Sequence, residues 1–463
     1  AAPDLRGAQG GAAIASLADQ LMREGFAVLG STVMLDSPLP WHDEWTAGFR
    51  YPRMPTRLLS RRIRFSPGYD QGVDCKLPWE LGRLQHIPLL AEATAATGRD
   101  EYGRVAVRHI ADFVTRNPVG RGVQWLCTMD VAIRAVNLVW SFARLGLLRE
   151  GKSSSPYATY VLRTHAEFIE RHLEDQGVVG NHYLADLAGL ILLGWALNRR
   201  GEGYRWWRFG LEELYAQILR QFSSDGVNFE SSTSYHRLAT ELALYPVIVA
   251  LSEGERAPEP VTQRLERAIQ YVAHYTQPDG TAPAIGDADD GRLLILSERS
   301  YREKNWHEYL VPAGALALRS RRLARLATCC DPETSALLGA GAPHALAKLQ
   351  EGPRDCRHEL PGSRGFPEGG LWVMRDGDLH MTFRAGGVGQ EGNGGHAHND
   401  CLSITLHALG EPWIVDSGLG CYTADYAIRN HCRSTRAHNT IMVDEQEINP
   451  FLWEDVFRMQ EVA

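Results

Sequence analysis

The sequence predicts a multidomain α and β protein. A long run of paired helices, read as an α-toroid or α-solenoid, precedes an antiparallel β-sandwich. Three observations predict it. From Leu77 to about Leu338, apolar residues recur every three to four positions in segment after segment, the spacing of one helix face. Near Glu351 the chain turns to Pro353, Pro361, Gly362, Gly365, Pro367, Gly369 and Gly370, which marks a connection. Beyond it come short β-rich segments separated by turn signals. Residues 1–345 are assigned to the helical unit and 346–463 to the β unit. A chain of 463 residues is long enough for two domains and a sizeable core.

Residues 1–60 join an amphipathic helix, Ile14 to Glu24, to an irregular stretch rich in Pro and Trp. Trp41, His42, Asp43, Trp45 and Trp79 are types that line sugar clefts. Large aromatics are more often core, and core is the reading for most of them. Helices are expected at Leu81–Thr97, Glu101–Arg116, Met129–Leu147, Tyr157–Leu173, Tyr183–Asn198, Trp206–Gln221, His236–Leu251 and Leu265–Tyr275. Breaks such as Asn117-Pro118-Val119-Gly120 and Gln277-Pro278-Asp279-Gly280 separate them. No fixed period links them, and helix pairs without strands suit a toroid or solenoid. Strands are expected at Leu371–Arg375, Leu379–Arg384, Leu402–Leu409, Trp413–Asp416 and Thr440–Val443.

The net charge of −8 argues against nucleic acid as the main partner. An anionic sugar stays open, because local arginines outweigh the sum. No apolar run reaches the ~18 residues of a membrane helix. The N-terminus, AAPDLRGAQGGAAIASLADQL, lacks the basic start and apolar block of a signal peptide. A periplasmic or secreted location is expected, with the cytoplasm the alternative. The eight cysteines, Cys75, Cys127, Cys329, Cys330, Cys356, Cys401, Cys421 and Cys432, form no CxxC pair. They read as mostly buried free thiols; a Cys421–Cys432 bridge is the lesser reading.

Candidate chemistry concentrates between Gly394 and Asp444. His396-Ala397-His398 opens an alternating segment, and on a strand the two imidazoles share a face. A second strand ends on Asp416, and His438 precedes a third. Two imidazoles, a carboxylate and a distant third His are Zn²⁺ ligand types. The expectation is that His398, Asp416 and His438 hold a metal while His396 enters a cleft. The plain alternative is buried imidazoles bonded to carbonyls. In the helical unit, Asn181 opens a helix, where Asn is a favoured cap, and His182 has a core reading. Tyr235 follows the polar loop Asp225–Ser234, where a Tyr is commonly structural. Ile285–Gly291 lacks the full ligand pattern of a Ca²⁺ loop and reads as a structural turn.

HAHNDCLSITLHALGEPWIVDSG followed by RNHCRSTRAHNT resembles the C-terminal part of the heparinase II/III-like polysaccharide lyases, a family with heparinase and alginate lyase members. GNHYLADLAGLILLG and DGVNFESSTSYHRL resemble that family's helical part. The motifs occur in the family's order over nearly the whole chain. The resemblance implies an incomplete (α/α) toroid followed by a β-sandwich. The family's sandwich is usually longer, so the second unit is expected to be a fragment or truncated at its C-terminus. It implies β-elimination on an acidic, uronate-containing polysaccharide, giving 4,5-unsaturated uronate ends. Asn181 would neutralise the substrate carboxylate with help from His182, and Tyr235 would transfer the proton. Glu230 and His236 would support them at the substrate. A structural Zn²⁺ would sit on His398, Asp416 and His438. One subgroup carries an acid three positions after the helix-start His; here that position is Ala185, so its role is absent.

The chemistry explains these residue types. A uronate C5 proton is weakly acidic while its carboxylate is charged, so hydrogen bonds or cations there stabilise the enolate-like intermediate. A base removes C5–H and an acid protonates the leaving O4. A Tyr of pKa ~10 needs positive charge or hydrogen bonds to act as base. Whether Tyr235 serves as base and acid, or His396 is the base, follows the substrate's stereochemistry. Tyr422, Arg429 and Arg433 are expected to touch substrate, since arginine's planar fork suits carboxylate and sulfate. Gln124, Trp125 and Arg134, near Asp130, are further sugar-binding candidates. The rivals are a glycoside hydrolase and a non-catalytic acidic-glycan-binding protein. A hydrolase needs paired acids about 5–10 Å apart, from Glu230 with Asp130 or Asp287. The sequence leaves oligomeric state open, a dimer included.

Overall fold

A computed structural model describes residues 8–36, 38–61, 72–149, 152–153, 155–288, 291–351, 361–452 and 455–461. The long periodic segments fold as helices at Asp100–Arg116, Thr128–Arg144, Pro156–Arg171, Asn181–Ala196, Tyr204–Gln221, Thr233–Ser252 and Glu259–Tyr275. Asn181–Ala196 packs on Thr128–Arg144, Pro156–Arg171, Tyr204–Gln221 and Thr233–Ser252. It and Thr233–Ser252 bury nearly every side chain, as inner helices of a toroid must. Pro156–Arg171 buries one face, as outer helices do, while Glu259–Tyr275 is buried all round from Ala268 onward. The result is an incomplete (α/α) toroid.

Local chemistry sets the starts. Ser155 caps one helix by accepting from Ala158 N–H, with Pro156 at its first position. Ser232 caps another by accepting from Tyr235 N–H, which fixes Tyr235 in the first turn. The expected Leu81–Thr97 helix is two helices, Lys76–Gly82 and His86–Thr97. Leu84 between them sits at φ 60, a left-handed conformation that no helix continues through. Helix Ala342–Gln350 packs on Leu310–Ala317 and Arg321–Leu326, so the helical unit runs past the expected division at 345/346. Pro353 and Cys356 lie outside the described residues.

The β unit presents a five-stranded antiparallel sheet, in order Glu411–Ile414, Ile404–Ala408, Leu379–Arg384, Leu371–Asp376 and Arg364–Phe366. Trp372 pairs with Phe383 and Thr382 with Thr405. Alternate residues, among them Val373, His380, Thr382, Arg384 and Thr405, are buried, and this face meets helix Glu259–Tyr275. The Phe366 and Tyr271 rings lie 4.8 Å apart, and His380 Nε2 is 3.1 Å from the His274 carbonyl. Thr440–Val443 is not a strand: a Val443–Gln446 bridge and positive φ at Asp444 and Glu445 turn the chain there. Cys75 and Cys127 are buried, Cys329 is exposed and four more are half-buried, so the thiols are less buried than expected. Cys421 and Cys432 are both free. No described helix is long and apolar enough to cross a membrane.

The interior holds many neutral imidazoles. Burial pushes His109, His236, His274 and His380 down to about 4 and His165 to about 3. Unfolded, each would take a proton near pH 6.5. Their stabilisation is therefore complete above ~6.5 and lost as the pH falls from there toward 4. The melting temperature is expected to drop steeply between pH 6.5 and 4.5, read by calorimetry at constant ionic strength. A flat profile over that window contradicts the burial of these rings.

Candidate active site

A cleft of about 360 Å³ opens between the helical unit and the loops that follow the third sheet strand. Asn181, His182, Tyr235, His396 and Tyr422 all line it. The Tyr235 ring stacks on His396 with centroids 3.5 Å apart and planes 14° from parallel. Its hydroxyl is 2.9 Å from that of Tyr422. Lys76 Nζ lies 3.9 Å from the Tyr422 ring centroid, bringing positive charge to the phenol pair.

Asn181 does not cap its helix; Gly180 takes that position. Instead its Nδ2 donates to Glu230 at 2.8 Å, and its backbone N–H donates to the other Glu230 oxygen at 2.7 Å. Glu230 is fully buried, so it aims Asn181 and leaves the cleft lining to it. A Cβ on Gly180 would lie 2.3 Å from Glu230 Oε1, so only glycine admits this carboxylate. His182 is 3.1 Å from Glu174 with 46% of its side chain exposed. Crowding alone would lower its pKa, but Glu174, Asp130 and Asp186 outweigh that and raise it to about 9. Solvent screens part of this pairing, yet the ring is cationic at neutral pH.

His396 and His398 sit in a loop rather than on a strand. They still face together, because both bond the same buried acid. Asp287 accepts from His396 Nδ1 at 3.0 Å and His398 Nε2 at 2.9 Å, and takes two bonds from Arg429 at 3.2 and 2.9 Å. Burial alone would raise the Asp287 pKa; Arg429 and the two imidazoles hold it well below the carboxylate range. The segment read as a structural turn thus carries the hub of the site, while Asp289 and Asp290 lie outside the described residues. Gly286 sets it: its φ is +68, and a Cβ there would fall 2.6 Å from Ser231 O and 2.7 Å from His396 O. Gly286→Ala is expected to cost at least about 2 kcal/mol through clash and backbone strain. It should also lower activity by misplacing Asp287, measured by denaturant melts and initial rates. Unchanged values would show that this junction tolerates a Cβ.

His398, Asp416 and His438 come together with donor atoms all within 4.8 Å. His438 Nδ1 is 2.7 Å from Asp416, and the two rings are 5.2 Å apart. His398 Nδ1 and His438 Nε2 are buried without a hydrogen-bond partner. Burial keeps His398 below its ordinary pKa despite Asp287, in the neutral form a metal requires. Two orphaned imidazole nitrogens beside a carboxylate fit a Zn²⁺ donor set.

Other candidates lie elsewhere. Gln124 donates to the Trp41 and Pro78 carbonyls at 2.6 Å each, and Trp125 to Asn117 O at 3.0 Å. Arg134 donates to Gly82 O and Gln124 O at 3.1 and 3.0 Å. All three are buried and tie loop to helix instead of touching the cleft. His236 accepts from Asn228 N–H at 3.1 Å and bonds Ala268 O at 3.0 Å, holding the loop before Tyr235. Arg429 and Arg433 are fully buried; both donate to the Val456 carbonyl, at 2.9 and 2.5 Å. They brace the cleft floor rather than its lining, because a buried guanidinium must spend its donors locally. Glu230, His236, Arg429 and Arg433 are therefore supports and not substrate contacts. Asp130 reaches the cleft but pairs with Arg83 at 2.6 Å. Trp41 is core, and Trp79 borders the cleft. Sequence reasoning missed Asp287 as the hub, Glu174 under His182, and Lys76 over the Tyr422 ring. The Gly286-Asp287 pair was the one signal for the first; the others carried none.

A helical toroid with an antiparallel sheet against it, and an amide, a phenol and an imidazole converging in the cleft between, defines a two-unit toroid-plus-sheet class. The chain belongs to the heparinase II/III family. Residues 52–310 match the heparinase II/III N-terminus and residues 358–462 the heparinase II/III-like C-terminal region. The heparin-sulfate lyase of Pedobacter heparinus is 24% identical over 392 residues, covering 81% of this chain and 53% of that protein. The chain thus spans about half the length of this relative. A crystal structure of heparinase III aligns with TM-score 0.60 and 17% identity over 96% of this chain and 71% of that one. Heparan sulfate lyase HepC from Pedobacter heparinus aligns with TM-score 0.51 and 19% identity over 94% of this chain and 66% of that one. At these identities the two structures share the fold.

Proposed function

We propose that the protein is a polysaccharide lyase that cleaves a uronate-containing acidic polysaccharide by β-elimination. One observation carries the reading: Asn181, Tyr235 and His396, from both units, line a single cleft. Glu230 takes one amide hydrogen of Asn181, leaving the other for the substrate carboxylate. The His182 imidazolium adds charge at the same wall, so the C5 proton becomes acidic. Asp287 holds His396 through Nδ1, which leaves Nε2 to accept a proton. The Tyr235 hydroxyl, beside Tyr422 and Lys76, protonates the leaving O4. For a substrate whose C5–H and O4 lie on one side, Tyr235 performs both transfers; for the other epimer His396 is the base.

The acids named for a hydrolase are engaged by other side chains, as is Glu174, which lines the cleft and pairs with His182. Asp130 is paired with Arg83, Glu230 with Asn181, and Asp287 with Arg429 and two imidazoles. The relatives are named for heparin and heparan sulfate, and we extend that substrate class, the glycosaminoglycans, to this chain. A polymer too large to enter the cell goes with a periplasmic or secreted enzyme. The test mixes purified protein with heparin, heparan sulfate, chondroitin sulfate, alginate and a uronate exopolysaccharide. The ultraviolet absorbance of the unsaturated uronate is followed. A rise with a glycosaminoglycan is the expected result. Binding without a rise points to a glycan-binding protein, and a rise only with alginate overturns the substrate class.

His398, Asp416 and His438 are the residues that would hold Zn²⁺, which would tie their three segments together. Chelation is then expected to lower the melting temperature by roughly 5 °C or more, with Zn²⁺ restoring it. A His438→Ala variant should lose most of this response; a wild-type protein indifferent to chelator speaks against the site.

A further inference from the structure

We propose that Cys127, Glu174 and His182 form a cation site in the cleft wall, separate from His398, Asp416 and His438, that takes a thiophilic divalent ion such as Zn²⁺ or Cd²⁺ and competes with substrate. The three donors come from different segments: the residue before helix Thr128–Arg144, the loop after Pro156–Arg171, and the first turn of Asn181–Ala196. Their ligand atoms lie within 4.8 Å of one another. His182 Nδ1 is 3.1 Å from Glu174 Oε1 and 4.0 Å from Cys127 Sγ. A tetrahedral ion with metal–sulfur bonds of ~2.3 Å and metal–nitrogen or –oxygen bonds of ~2.0 Å sets such donors roughly 3.3–3.6 Å apart. The two spacings to His182 bracket that range, and the third is no more than 4.8 Å, within reach of side-chain adjustment.

The carboxylate is already aimed. Glu174 Oε2 accepts from Met129 N–H at 2.8 Å, and Glu174 N–H donates to Asp186 at 2.7 Å. All three residues line the cleft, so a fourth position opens to water or a ligand, the arrangement of an accessible site. A thiolate, an imidazole and a carboxylate select zinc-like ions over Mg²⁺ or Ca²⁺.

Charge closes the account. Without metal the Cys127 thiol and the His182 imidazolium each carry a proton. Binding forms three metal–ligand bonds and releases two protons to solvent, one from Cys127 and one from His182. One divalent cation replaces two protons, and the net charge of the wall is unchanged. The ion also takes His182 away from the substrate carboxylate, which is how it inhibits; that consequence rests on the lyase reading, whereas the site does not.

The test titrates Cd²⁺ into the reduced, chelator-treated full chain and follows the thiolate-to-metal charge-transfer absorbance. The other trio contains no sulfur and gives no such band. A saturable band near one equivalent, abolished in Cys127→Ala and weakened in Glu174→Gln, is expected. Circular dichroism establishes that each variant is folded, and Cys127→Ser replaces Cys127→Ala where it is not. No saturable band, or the same band in the Cys127 variant, overturns the site. Where turnover is measured, Zn²⁺ should inhibit the Cys127 variant at least tenfold less well than wild type, each against its own uninhibited rate. Equal inhibition after loss of the band overturns the competition and leaves the site standing. Absence of turnover defeats the lyase reading without touching the Cd²⁺ result.

Discussion

Tyr235→Phe is expected to lower kcat by about 10³-fold, the scale of a lost general acid or base, with KM changed by no more than a few fold. The substitution removes one oxygen. The ring keeps its stack on His396 at 3.5 Å and its buried setting, so the fold has no reason to change. What disappears is the hydroxyl that bonds Tyr422 at 2.9 Å. A melting temperature within about 1 °C of wild type, beside the rate loss, assigns the effect to proton transfer. Retention of kcat within tenfold would remove Tyr235 from the reaction.

Asp287 is the second place where one change has a large effect. Asp287→Ala leaves the Arg429 guanidinium, itself fully buried, without its counter-charge. Breaking a buried pair from one side costs about 3–5 kcal/mol. For a chain of 463 residues the expected drop in melting temperature is roughly 3–5 °C, read by calorimetry. Asp287→Asn keeps the shape and removes only the charge. The amide no longer balances Arg429 or orients His396, and a loss of about 10³–10⁴ in kcat is expected from an Asp→Asn change behind a catalytic imidazole. A drop below 2 °C for the alanine variant would show that Arg429 finds another partner.

Much of the architecture was legible because it is local. Three- and four-residue apolar spacing marked the helices, and a cap such as Ser232 is written within three residues of what it fixes. Asn181, Tyr235 and His396 were named because each stands in a distinctive short motif. What escaped is tertiary. Asp287 bonds His396 across 109 positions and Arg429 across 142, and no spacing rule connects them. Arginine charge is visible in a sequence while burial is not, so Arg429 and Arg433 read as substrate contacts although they are internal braces. His396 and His398 do share a direction, but through a common acid in a loop and not through strand alternation. Gln124, Trp125 and Arg134 failed as sugar contacts for the same reason as the arginines: their polar atoms satisfy backbone carbonyls.

The stack of Tyr235 on His396 joins a helix of one unit to a loop of the other. Neither piece alone carries a complete set of reacting groups. Two separately produced fragments, divided between the toroid and the sheet, should each be inert and should regain turnover only on reassembly. Enzyme activity would then report, by its dependence on fragment concentration, how tightly the halves hold each other.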